Sequence, residues 1–184
     1  MKRTILVFSL IFIFCKVSAQ NESVEKSVTG VQIGFLGANI YNEARLADAF
    51  VLRSQFALYP GFFGGEANPN TSLVLFPEFS LIPKYYYNLK KRGIAGDNTA
   101  NNSGNYVSID FKYISNWFSL FNTDNIATAN SIGIIPTWGL RRNFSENFNY
   151  EFNIGLGYGT YLNNVSGNTS EIIYNLGIKI GYDF

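Results

Sequence analysis

Apolar and polar positions alternate along most of this chain. In the last fourteen residues Ile172, Tyr174, Leu176, Ile178, Ile180, Tyr182 and Phe184 share one parity. Glu171, Asn175, Gly177, Lys179, Gly181 and Asp183 share the other, and Ile173 is the single exception. Side chains on a strand point alternately to opposite faces, so a period of two describes a strand with one greasy face and one polar or small face. Over 147–162, Phe148, Tyr150, Phe152, Ile154, Leu156, Tyr158 and Leu162 oppose Asn147, Asn149, Glu151, Asn153, Gly155, Gly157 and Gly159. Ile132, Ile134, Pro136, Trp138 and Leu140 alternate with Ser131, Gly133, Thr137, Gly139 and Arg141 in the same way. Similar runs in the front half give seven predicted strands: 29–40, 49–62, 72–89, 105–116, 130–142, 147–162 and 171–184. No window holds a helical period. The nearest candidate is 42–48, one or two turns at most.

Turn residues separate these runs: 64–70, 93–104, 122–125, 143–147 and 163–170 are rich in Gly, Asn, Ser and Pro. The Asn/Ser/Gly-rich stretch 93–104 is expected to be disordered. Seven strands leave an odd count, and an antiparallel barrel in which neighbours alternate in direction closes only on an even one. The eighth is sought in a hairpin at Ser115-Asn116, followed by Trp117-Phe118-Ser119-Leu120-Phe121, or in an N-terminal strand within 21–28. The hairpin is preferred. It gives an even count and makes 90–104 a loop on the side opposite the C-terminus; a single strand over 105–121 would put 90–104 on the same side.

The first nineteen residues read as an address. Lys2 and Arg3 precede an apolar run from Ile5 to Phe14, and Val17-Ser18-Ala19 supplies small residues for cleavage. This is the pattern of a secretory signal peptide, which leaves 20–184 as one barrel domain. Cys15, the only cysteine, lies within the leader, so a cleaved chain forms no disulfide.

Composition decides which face meets solvent. Only 15% of residues are charged, against roughly 25% in ordinary soluble proteins. The non-greasy face is mostly Gly, Asn and Ser, which suit a narrow lumen better than a solvated exterior. The greasy face runs past nine residues in several strands and gathers aromatics near the strand ends. That matches strands of about 9–11 residues crossing a bilayer between aromatic girdles. The expected fold is therefore all-β: an antiparallel up-and-down transmembrane β-barrel of eight strands.

The leader, the alternating strands and the terminal Gly181-Tyr182-Asp183-Phe184 resemble a small bacterial outer-membrane β-barrel of the OmpA/OmpX-like superfamily. The segments 83–92 and 136–142 resemble a subgroup from Bacteroidetes-type bacteria. The resemblance implies a Gram-negative outer membrane as location, and its lipids, lipopolysaccharide included, as neighbours. It also implies that the barrel-assembly machinery reads the last strand through Ile180, Tyr182 and Phe184. The C-terminal aromatic resembles a periplasmic strand end, so 163–170 is expected outside and 143–147 in the periplasm.

Little chemistry is available to such a chain. His is absent and the net charge is +1. Imidazole catalysis is impossible, and the outer-membrane barrel enzymes generally rely on a His near a Ser or Asp. A metal site would need carboxylates alone, and no basic face addresses nucleic acid. Gly155-Leu156-Gly157-Tyr158-Gly159 lies inside an alternating strand with no helix after it, so the glycines read as small lumenal positions and not as a phosphate loop. No catalytic, cofactor or metal site is expected. The charges on the inward face are Arg53, Glu78, Lys84, Asp110, Lys112, Arg141, Glu151 and Lys179, five basic and three acidic. They are expected to form a salt-bridged plug, because the lumen of an eight-stranded barrel is just wide enough for side chains to fill. The alternatives are a narrow transport or hydrophobic-ligand barrel and a secreted lipocalin-like barrel. Lys90-Lys91-Arg92, the one basic run, reads as a solvated strand end, with lipopolysaccharide phosphate as the rival partner.

Overall fold

Eight antiparallel strands form a closed ring, each hydrogen-bonded to its sequence neighbours and the last to the first. In the computed structural model, which describes residues 23–35, 37–65, 68–120, 129–162 and 170–184, they are β1 (Ser27–Gly34), β2 (Gly37–Ala47), β3 (Phe50–Gly65), β4 (Asn68–Tyr86), β5 (Asn105–Ile114), β6 (Ser131–Asn143), β7 (Phe148–Tyr161) and β8 (Ser170–Asp183). The segment expected to be a leader lies outside the described residues, as do 121–128 and 163–169. Closure runs from Gly30 opposite Asp183 to Gly34 opposite Lys179, and Phe184 N adds a bond to Thr29 O at 2.9 Å. A closed ring leaves no strand edge with unpaired backbone groups. No helix among the described residues is long and apolar enough to cross a membrane, which says nothing of a barrel.

The eighth strand is not where the sequence placed it. The run 29–40 is two strands: β1 and β2 pair down to Gly34 opposite Gly37, and the chain reverses within two residues. Gly37 has φ +95°, and a Cβ there would lie 1.9 Å from Leu58 O, so only glycine fits this turn. The signal was a slip of parity. Val31 and Ile33 face outward before the turn, and Ala38 and Ile40 after it, but the connecting Phe35-Leu36 carries no turn chemistry. The segment 42–48, the nearest helical candidate, is the lower part of β2. Its outward residues Asn42, Ala44 and Leu46 alternate too weakly with Tyr41, Glu43 and Arg45 to announce a strand.

There is no hairpin at Ser115-Asn116. Strand β5 ends at Ile114, Ser115 N bonds to Pro77 O at 2.9 Å, and Leu120 exchanges two 3.0 Å backbone bonds with Leu75 of β4. The segment 90–104 therefore joins β4 to β5 at the end of the barrel that also holds both chain ends, contrary to the preferred reading. It is ordered as well. Helix α1 (Leu89–Ile94) takes up Lys90, Lys91 and Arg92, expected as a strand end, and a single 3-10 turn (Ala100–Asn102) follows. Asn101 and Asn102 adopt φ of 49° and 62°, a region Asn tolerates better than most residues.

The two faces of the ring are sharply different. On the outside Ile154, Leu176 and Ile178 are 51%, 54% and 65% exposed. On the inside Arg53, Arg141 and Glu151 are at most 1% exposed. The end with the termini is stoppered. Val24, Val51, Tyr86, Leu89 and Tyr106 pack into a buried apolar cluster drawn from the N-terminal segment, two strand ends, α1 and the start of β5.

Candidate functional site

The charged side chains of the lumen form two layers. The first lies under the stopper. Arg53 Nη2 meets Glu151 Oε2 at 3.0 Å, and Arg53 Nε meets Glu43 Oε1 at 3.1 Å. Lys84 Nζ bridges the same two carboxylates at 3.0 and 2.9 Å. Arg141 Nη2 lies 2.6 Å from Asp183 Oδ2 and also donates to the Tyr41 hydroxyl at 2.7 Å. Tyr41 donates to Asp183 and Tyr106 to Glu151. Gln32 Nε2 donates to Glu151 Oε2 at 2.9 Å. Rings cover the cations: the Arg53 guanidinium sits 3.9 Å over Tyr41 and the Lys84 ammonium 4.1 Å over Tyr106. Three cations thus face three carboxylates.

Asn102 ties this layer to the stopper. Its Nδ2 donates to Glu43 Oε2 at 2.8 Å, and its Oδ1 accepts from Glu25 N at 2.8 Å. The connection expected to be disordered thereby supplies a fully buried amide to the lumen.

The second layer lies nearer the other mouth. Lys112 Nζ pairs with Glu78 Oε2 at 3.4 Å, and Ser80 Oγ donates to Glu78 Oε1 at 2.9 Å. Asp110 accepts from Ser108 Oγ at 2.6 Å and from Asn175 Nδ2 at 2.8 Å. Lys179 makes no ion pair or hydrogen bond among the described residues. It lines, with Gln55, Asp110, Glu151 and Asn153, a cavity of about 20 Å³, room for about one water.

All eight predicted charges are brought together on the inward face. Two carboxylates were missed, Glu43 and Asp183, and they change the balance: among the described residues the five predicted cations now meet five carboxylates. Glu43 was lost inside 42–48, the nearest helical candidate. Asp183 stood on the correct parity, two residues from Gly181, but was taken only as part of the terminal motif. An unpaired charge here would cost several kcal/mol, so an excess of two cations was itself a sign that two acids remained to be found. The lumenal glycines make room for large neighbours. A Cβ at Gly139 would meet the Tyr106 ring at 2.4 Å, and one at Gly177 would meet Asn153 Oδ1 at 2.3 Å.

Ile180, Tyr182 and Phe184 line up on the outward face at the terminal end. Tyr182 packs edge-on against Phe148 at 5.2 Å and Phe184 at 5.5 Å. Phe144 stacks on Phe148 and Tyr150, and Phe50 stacks on Tyr85 at 4.6 Å. These rings form a belt around that rim. Among the described residues no three His, Cys, Asp or Glu side chains are placed to hold a metal ion.

The architecture defines a class: a closed eight-stranded up-and-down barrel with a filled, charge-balanced lumen and an apolar exterior. No family model, no curated protein and no solved structure matches the chain.

Proposed function

We propose that this protein is a non-enzymatic β-barrel of a bacterial outer membrane, structural or displaying loops for interaction. The observation that carries the reading is the inverted arrangement of the faces: aliphatic and aromatic side chains project outward from the strands while the ion pairs between strands point inward. A soluble ligand barrel has the reverse pattern. The dimensions agree. Phe148 and Tyr158 are ten residues apart on β7, about 33 Å of strand. A tilt of about 40° turns that into roughly 25 Å, the height of an outer-membrane barrel's apolar band.

A lumen whose carboxylates are engaged by lysine, arginine, tyrosine, serine or asparagine leaves no carboxylate free to act as a general base. The last strand supports the assembly reading, since Tyr182 and Phe184 present their rings at the rim and Phe184 N closes the ring onto Thr29. On this reading the barrel-assembly machinery and outer-membrane lipids, lipopolysaccharide among them, are its partners. The test is membrane fractionation joined to gel mobility with and without boiling. Recovery with outer membranes and a mobility that shifts on heating is the expected result. A protein that stays in the aqueous phase without detergent would be a soluble barrel and would overturn the proposal.

A further inference from the structure

A chain of polar contacts runs along the outside of the barrel at the end that holds the termini. Trp138 Nε1 donates to the Tyr87 hydroxyl oxygen at 2.8 Å, and Asn105 Nδ2 donates to the same oxygen at 3.3 Å. Asn105 Oδ1 accepts from Arg142 Nη2 at 2.5 Å. All four side chains lie outside the lumen. Tyr87 and Trp138 are exposed, and Asn105 and Arg142 occupy the outward parity of β5 and β6.

Proton bookkeeping shows what this cluster lacks. Two N–H groups occupy the lone pairs of the Tyr87 oxygen, so its own O–H is left to donate, and among the described residues nothing accepts it. Arg142 uses Nη1 on the Arg141 carbonyl at 2.7 Å and Nη2 on Asn105, while Nε has no acceptor there. A second guanidinium lies close. Arg92 Nε donates to Ser103 O at 3.0 Å, and Ser103 Oγ accepts from Asn143 N, the residue after Arg142, at 3.2 Å. The carboxylate paired with this group is Asp97, half exposed and 3.4 Å from Arg92. Arg92 Nη2 also donates to Asn98 O at 3.2 Å, so the groups free to donate at this rim of the apolar wall are the Arg142 Nε–H and the Tyr87 O–H, with the Arg92 guanidinium beside them.

We propose that this rim binds the phosphate of an anionic phospholipid. Arg142 and the Tyr87 O–H donate to the phosphate oxygens, Arg92 adds charge, and the acyl chains lie against Trp138, Leu140 and Val107. Arginine suits the role because its planar fork matches phosphate oxygens. The inference rests on the membrane reading and deepens it. Were the terminal end periplasmic, the lipid would be one of the inner leaflet of the outer membrane.

The test uses the full barrel domain folded in detergent micelles, offered phosphatidylglycerol or a diacylglycerol of the same chains, with bound lipid read by native mass spectrometry. Phosphatidylglycerol is expected to be retained at concentrations at least about tenfold lower than diacylglycerol. Arg142→Gln and Tyr87→Phe should each weaken its retention by about ten- to a hundredfold, the usual scale for losing a hydrogen bond to a charged group. Tyr174→Phe, on the opposite half of β8, should change nothing. Because Tyr87→Phe also removes an acceptor from Trp138 and Asn105, each variant is first shown to fold by its gel mobility, and Arg142→Gln carries the decision. Equal retention of the two lipids, or unchanged retention in Arg142→Gln, would overturn the site. Displacement of the lipid by millimolar inorganic phosphate would make it a free-anion site and overturn the lipid assignment. A chain that needs no detergent fails the membrane reading before any lipid is added, so the two failures are told apart.

Discussion

Arg53 on β3 and Glu151 on β7 stand four strands apart in a ring of eight, and their side chains still meet at 3.0 Å. The pair spans the full width of the lumen. Lys84, Glu43, Tyr106 and Gln32 fill the rest of that cross-section, so the interior is held shut by polar groups that pair across it. Such a layer is expensive to desolvate and cooperative once complete. Its weakness is that no member can be lost singly.

Glu151 is where the loss should be greatest, since Arg53, Lys84, Tyr106 and Gln32 all converge on it. Glu151→Gln leaves two buried cations sharing Glu43 and should destabilise the folded barrel by about 3–5 kcal/mol. Urea titration in micelles, followed by the heat-sensitive gel mobility, reads the change. Adding Lys84→Met to that variant should recover part of the loss. An unaltered midpoint in Glu151→Gln would mean that the layer contributes nothing to stability.

The same layer predicts electrical silence. With five cations matched by five carboxylates and a cavity of about 20 Å³ beside Lys179, the lumen offers no water-filled path. Purified protein in planar bilayers should show no current steps above baseline. Regular single-channel steps would favour the transport reading.

The outward row predicts opposite behaviour at adjacent residues. Ile154→Arg should cost roughly 2–4 kcal/mol if the residue lies near the bilayer midplane. Gly155→Arg should fail for another reason, overfilling, because even a Cβ there would lie 2.4 Å from Thr137 Oγ1 and 2.6 Å from Pro136 O. A spin label at 154 should be quenched by a lipid-soluble agent. Quenching there by a water-soluble agent alone would refute the membrane face.

Phe184 is exposed, packs on Tyr182, and bonds through its N–H to Thr29 O. Phe184→Ala keeps that backbone bond and removes the ring. Less barrel should reach the outer membrane while export continues, as judged by the ratio of inserted to periplasmic protein. Undiminished amounts of heat-modifiable barrel would count against the terminal ring as an assembly signal.

Orientation follows from the strand order. Asn101 lies at the end that holds the termini, and Trp117 lies past the opposite end of β5 and is exposed. If the C-terminus is periplasmic, a cysteine at 117 should react with an impermeant maleimide in intact cells. A cysteine at 101 should react only after the outer membrane is disrupted. Reversed labelling would turn the barrel over.

Six of the strands, β3 to β8, are legible in the chain because parity is a local property: neighbouring side chains on an extended backbone must point opposite ways. The same property exposed the eight inward charges. Parity fell silent over 42–48, where the outward residues Asn42 and Ala44 are not greasy, and Glu43 was lost with it. It also misled over 29–40, where the apolar pair Phe35-Leu36 hides the reversal between Gly34 and Gly37 that only those glycines betray. The β1–β2 turn displaced the count and put 90–104 at the wrong end. Nothing local could show that Asn102 reaches Glu43, 59 positions away, or that Asp183 reaches Arg141, 42 away. Those contacts exist because ring closure brings distant strands to one axis. There, away from water, each buried charge must find its partner among whatever residues the closure delivers.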